Sequence, residues 1–177
     1  MAMKLLSTNT ASSDTTLDIT SGIDSTYKLY MFKYYDVNPE TDGANFSFQA
    51  NAAGASGFDE EMTSTYYYMH HNEADDTATW NVNSSNDLAL GTGYQIIAES
   101  IGNGGDESAA GTLYLFNPSN TTYQKHWWSR SDAYRSNDYA INVWADAYFN
   151  VTAAIDEVSF KMSSGDWDGI VKMYGVT

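Results

Sequence analysis

Cysteine is absent from this chain, so no disulfide framework and no thiolate metal centre can hold it together. Positive charge is scarce. Eight Lys and Arg stand against 23 Asp and Glu, a net charge of −15. Phosphate backbones need a basic surface, which disfavours nucleic acid as a partner. An anionic membrane surface would repel the chain for the same reason. No apolar run approaches the roughly 18–20 residues of a membrane-spanning helix. The opening Met1-Ala-Met-Lys-Leu-Leu-Ser-Thr has too short an apolar run for a signal peptide, so no sorting signal is expected. Gly-x-Ser-x-Gly, HExxH, P-loop and dinucleotide fingerprints are all missing, and no cofactor is implied. Helical periodicity over a window of about 11 residues is nowhere convincing.

What the chain has is aromatic side chains, with fourteen Tyr and five Trp, together with abundant Thr, Ser, Asn and Gly. This composition suits strands and turns. The rings have two possible uses: packing between sheets, or a stiff contact surface for a partner or a sugar.

Strand-like segments recur with turn signals between them. Lys4–Ser7 is short. Thr15–Thr20 alternates Leu17 and Ile19 with polar neighbours. Tyr27–Val37 is long and aromatic and stops at Asn38-Pro39-Glu40-Thr41-Asp42-Gly43, a turn cluster. In Ala44–Ala50, Phe46 and Phe48 face one way and Asn45, Ser47 and Gln49 the other. Asn51–Gly57 reads as a loop and Phe58–Met62 as one short helical turn. Further strands are expected at Ser64–His71, Thr77–Val82, Tyr94–Ile101, Gly111–Asn117, Thr121–Arg130 and Tyr139–Val151. The loops between them include Gly102–Ser108 and Asp132–Asp138. The tail, Ile155–Thr177, reads as two strands closed by Ser163-Ser164-Gly165-Asp166.

No linker or repeat divides the chain, so residues 1–177 form one domain. About nine or ten strands joined by turns predict an all-β, antiparallel β-sandwich. A jelly roll is the favoured topology.

The chemistry-bearing residues are sparse. His70 and His71 would point to opposite faces of one strand and cannot chelate one ion together without a bulge. His126 is alone. The acidic pairs Asp59-Glu60-Glu61, Asp75-Asp76, Asp106-Glu107 and Asp156-Glu157 read as solvated turns rather than the spaced carboxylates of a glycosidase. Asp166-Trp167-Asp168-Gly169 and Gly102–Glu107 offer oxygen ligands for calcium but match no EF-hand spacing. The expectation is neither an enzyme nor a metal protein.

Trp127-Trp128 is the sharpest surface candidate. Neighbouring strand residues face opposite sides, so one tryptophan enters the core and the other is exposed or covered by a partner. Tyr66-Tyr67-Tyr68 repeats the pattern. Together these five residues are the candidate interface.

Four segments, STYKLYMFKYYDVNPETDGANFSFQA, TYYYMHH, IGNGGDESAAGTLYLFNPSNTTY and the terminal AIDEVSFKMSSGDWDGIVKMYGV, resemble a family of small β-sandwich structural proteins of tailed, often marine, bacteriophages. They cover 79 of the 177 residues. The resemblance implies a virion structural protein assembled in the host cytoplasm and brings no catalytic residue with it. A compact domain without fibrous repeats favours a capsid decoration or cement protein. Its partners would be the major capsid protein or other virion proteins and further copies of itself, as a trimer. The alternative is a tail-fibre or receptor-binding module that recognises host glycans through its aromatic surface.

Overall fold

The computed structural model describes residues 2–177. Twelve antiparallel strands, rather than nine or ten, form a sheet nearly closed on itself and folded into two facing layers. They are β1 (Met3–Asp14), β2 (Thr16–Ile19), β3 (Leu29–Pro39), β4 (Ala44–Ala52), β5 (Met62–Asn72), β6 (Ala78–Val82), β7 (Gln95–Ile101), β8 (Ala109–Phe116), β9 (Lys125–Arg135), β10 (Tyr139–Phe149), β11 (Ile155–Met162) and β12 (Trp167–Val176). The wide layer runs β1-β12-β3-β8-β9-β10-β5-β6, and the narrow one β7-β4-β11-β2.

Alternation and aromatic content explain why these segments pair. In β9 and β10 every second residue is buried, from Trp127 to Ala133 and from Ile141 to Phe149. The inward residues of the two layers meet in an aromatic core. Phe160 of β11 lies 5.9 Å from Phe32 and 6.4 Å from Tyr34 of the opposite layer, and 5.7 and 5.4 Å from Phe46 and Phe48 on its neighbour β4. Trp167 packs on Phe46 at 5.0 Å and Trp127 on Phe48 at 5.1 Å. Such ring pairs contribute about 0.5–1.5 kcal/mol each beyond the area they bury.

A polar pin also crosses the core. The buried Tyr34 hydroxyl and Ser131 Oγ lie 2.6 Å apart, and Ser131 donates to the carbonyl of Ile97 in the narrow layer. Burial pushes the Tyr34 phenol well above its ordinary pKa. Gly111, directly opposite both residues, leaves room for this: a Cβ there would stand 2.5 Å from the Tyr34 ring.

The chain changes layers at one corner. β1 pairs with β12 in the wide layer, and β2 pairs with β11 in the narrow one. Near the end of β1 Ser13 adopts φ 52°, a left-handed conformation that bends the strand. Asp168 accepts from the Ser13 amide and Asp166 from the Thr15 hydroxyl, so these carboxylates tie the corner.

Three expectations need correction. Lys4–Ser7 is not a short strand but part of the 12-residue β1, Met3–Asp14. The loop at Asp132–Asp138 is shorter than expected. β9 starts at Lys125 rather than Thr121 and continues to Arg135, because its small polar residues Ser129 and Ser131 are inward-facing core residues. Phe58–Met62 is not a helical turn. The carbonyl of Glu60 accepts from Gln49, and that of Glu61 from the Asn150 amide, which holds the segment extended.

Phe160→Ala should lower stability by about 3–5 kcal/mol, the range for truncating a buried aromatic. Urea unfolding measures it. A loss under about 1 kcal/mol, the size of an ordinary point substitution, would contradict the central place given to this ring.

Candidate functional site

The core fixes which residues of the wide layer face outward. Trp127 and Tyr66 are inside, at 1% and 0% exposure. The Tyr66 hydroxyl donates to Glu99 at 2.7 Å, and Glu99 in turn lies 3.6 Å from Arg135. Tyr68 points to the same side as Tyr66, with ring centroids 6.4 Å apart, and remains partly exposed. Of the five candidate interface residues, only Trp128 and Tyr67 stand on the outer face.

Two rings that the sequence reading did not single out join them. Tyr114 of β8 is directly opposite Trp128 of β9, and Trp144 of β10 is directly opposite Tyr67 of β5. The centroids are 4.4 Å apart for Tyr114–Trp128, 6.1 Å for Trp128–Trp144 and 6.0 Å for Trp144–Tyr67, with planes within 28° of parallel. At 4.4 Å two rings must lie face to face, so Tyr114 and Trp128 turn their faces toward neighbouring strands and their edges toward solvent. The Arg130 guanidinium lies over Trp144, 5.3 Å from its centroid. No motif announces this ladder, since its members lie on four strands and meet only through register.

The ladder is the centre of a longer stripe. Register places Leu5, Tyr174, Met31 and Tyr114 side by side on β1, β12, β3 and β8, and Val82 of β6 beside Tyr67. A second row, Met3, Val176, Leu29 and Phe116, runs alongside. Met69 and Trp80 pair on the same face. Among the described residues, six of the eight exposed large hydrophobic ones therefore share this face: Met3, Leu5, Met69, Trp80, Val82 and Phe116. A soluble surface scatters such residues, and their concentration marks a contact surface.

Charge is partitioned too. Outward positions of the wide layer hold Lys33, Lys172 and Arg130, three of the eight basic residues. They hold only Asp132, Asp146, Asp168 and, at a bulge, Asp36 among the 23 acidic ones. Most of the negative charge lies elsewhere.

Asp146 is the unusual acid of this face. It sits directly between Trp128 and Thr65 in the register. Burial alone raises its pKa above the ordinary carboxylate range. Among the described residues, no Lys or Arg nitrogen lies within ion-pair distance of it.

The other titratable groups have local roles. His71 pairs with Asp75 at 3.0 Å, and His70 packs against Tyr68 and Tyr139 on the inner side. His126 lies beside Tyr148 on the outer face. Buried Lys125 donates to the carbonyls of Tyr123, Val151 and Thr152 at 3.1, 3.2 and 2.7 Å, stapling two loops.

Trp127→Ala should cost about 3–5 kcal/mol, whereas Trp128→Ala should cost about 1 kcal/mol for its lost stacking. Equal losses in denaturant titrations would contradict the inside–outside assignment. Asp146→Asn should melt higher than the parent at neutral pH. A raised folded-state pKa means that ionised Asp146 opposes folding above that pKa, and the penalty fades as pH falls toward the ordinary value of 3.8. The two melting temperatures should therefore converge near about pH 3. A lower melting temperature for Asp146→Asn at neutral pH would show that the carboxylate is compensated in the fold.

No protein-family model matches this chain, and no curated protein matches it at a significant level. The functional reading rests on the geometry of the outer face and on the resemblance of the segments quoted above.

Proposed function

We propose that the protein is an accessory structural protein of a tailed-bacteriophage virion, a capsid decoration or cement protein. It docks on the major capsid protein or other virion proteins through the outer face of its wide layer. The virion assignment is supported by the resemblance of its strands to that family. The docking face is supported by one observation above all, the gathering of six of eight exposed large hydrophobic residues on a single sheet face. Interfaces are rich in aromatic residues and Met, and this face has that property, with Arg130 and Asp146 among the rings. The acidity of the remaining surface keeps the free protein soluble and discourages other contacts. Copies would assemble as a closed trimer on the particle lattice.

A second reading, a tail module that binds host glycans, is favoured by the outward rings beside hydrogen-bonding groups such as Asp146 and His126. Sugar platforms use ring faces that look to solvent. Here Trp144 lies between Tyr67 on one strand and Trp128 with Arg130 on another, so its faces are already occupied. That favours protein docking over glycan binding.

Leu5→Glu and Val82→Glu, at the two exposed ends of the stripe, test the docking face. Each should change fold stability by only about 0.5 kcal/mol, as surface substitutions do. Each should abolish co-sedimentation with particles lacking the native protein. Native mass spectrometry and symmetry-resolved density should find trimers filling the head lattice. Full docking by both variants, or copies confined to the tail, would overturn the reading.

A further inference from the structure

Asp146 forms part of the lining of a pit of about 400 Å³ in the outer face. Trp128, Tyr148, Phe116, His126 and Thr65 line it as well. The carboxylate has aromatic neighbours on three sides: Trp128 directly across on β9, and Trp144 and Tyr148 two residues away along its own strand. Tyr67 is close enough for the Asp146 charge to push its phenol pKa upward, after the larger effect of burial. An anion walled by rings, with no Lys or Arg nitrogen among the described residues in ion-pair distance and only His126 elsewhere in the pit, has lost hydration without gaining a partner.

We propose that this pit receives a cationic side chain, lysine or arginine, from the protein on which the outer face docks. The inference rests on the docking reading and names its anchor. Three features carry it. The carboxylate supplies the charge that a buried ammonium or guanidinium requires. Trp128, stacked between Tyr114 and Trp144, turns a ring edge to the pit, and with Tyr148 and Phe116 it forms an apolar wall along which the stem of a cationic side chain would lie. The ladder already holds one cation of its own, since Arg130 lies over Trp144 in the adjoining depression with Asp132 and does not line this pit. A slot between upright rings fits an alkyl-ammonium stem or a planar guanidinium better than a sugar ring.

The test uses the intact protein and small probes. Nα-acetyl-lysine amide and Nα-acetyl-arginine amide are titrated while the Trp128 indole N–H is followed by NMR. Nα-acetyl-norleucine amide, Nα-acetyl-citrulline amide and methyl glucoside serve as uncharged counterparts. The cationic probes should give saturable shifts at Trp128 and the neutral ones none. Asp146→Asn should weaken cation binding by about tenfold or more, the scale of a hydrogen bond to a charged group. That variant loses a charge that burial disfavours, so its loss of binding is not a loss of fold. Equal shifts from the citrulline probe, unchanged affinity in Asp146→Asn, or saturable binding of methyl glucoside instead would each overturn the proposal. Co-sedimentation of Leu5→Glu reads the docking face alone. If Leu5→Glu stays off particles while the amides fail to bind, the docking face stands and only the pit falls.

Discussion

The packing of Phe160 against Phe32 and Tyr34 across the two layers is the contact on which the other features depend. It seats β11 on β3, and through strand pairing it sets the inward register of their neighbours. Once Trp127, Leu113, Val143 and Tyr66 are inside, the two-residue period of a strand leaves Trp128, Tyr114, Trp144 and Tyr67 no place but the outer face. A one-residue slip would exchange the two sets and put Arg130 and Asp132 into the core. The aromatic ladder is therefore a consequence of the core as much as a feature of the surface.

The two faces of the wide layer also divide the polar work. Inside, Tyr34 pairs with Ser131 and Tyr66 with Glu99, while the Trp127 and Trp167 indole nitrogens and Ser129 Oγ are buried without a partner. Outside, Lys33 and Lys172 sit directly opposite each other, and Asp146 lies half-buried without a cation. The uncompensated carboxylate opposes folding, whereas Lys172 has the Tyr35 ring 5.4 Å from its Nζ, which favours its charged form.

Much of the architecture is legible in the sequence because alternation is strict where one face is core. The Phe46/Phe48 strand, the Trp127-Trp128 split and the two terminal strands can be read directly, but not that these last two sit in opposite layers, β11 on β4 and β12 on β3. The extension of β9 past Arg130 cannot, since Ser131 and Asp132 look like the start of a loop until the partners of Ser131, the Tyr34 hydroxyl and the Ile97 carbonyl, are in place. Phe58–Met62 misled in the opposite way. Its helix-like pattern yields to a tertiary hydrogen bond from Gln49. The candidate site was only half legible. Trp128 and Tyr67 advertise themselves through doublets, whereas Tyr114, Trp144 and Asp146 become neighbours only through register between strands distant in sequence.

Hydroxyl-radical footprinting of the protein, free and on the particle, tests most directly whether the outer face of the wide layer is the working surface. Met3, Met69, Trp80 and Trp128 are readily oxidised side chains on that face, while Tyr94 lies beneath Lys161 over the narrow layer. Docking through the outer face predicts strong protection of the first four and little change at Tyr94. Protection of Tyr94, with the four outer-face residues still oxidised at the rate of the free protein, would contradict the account.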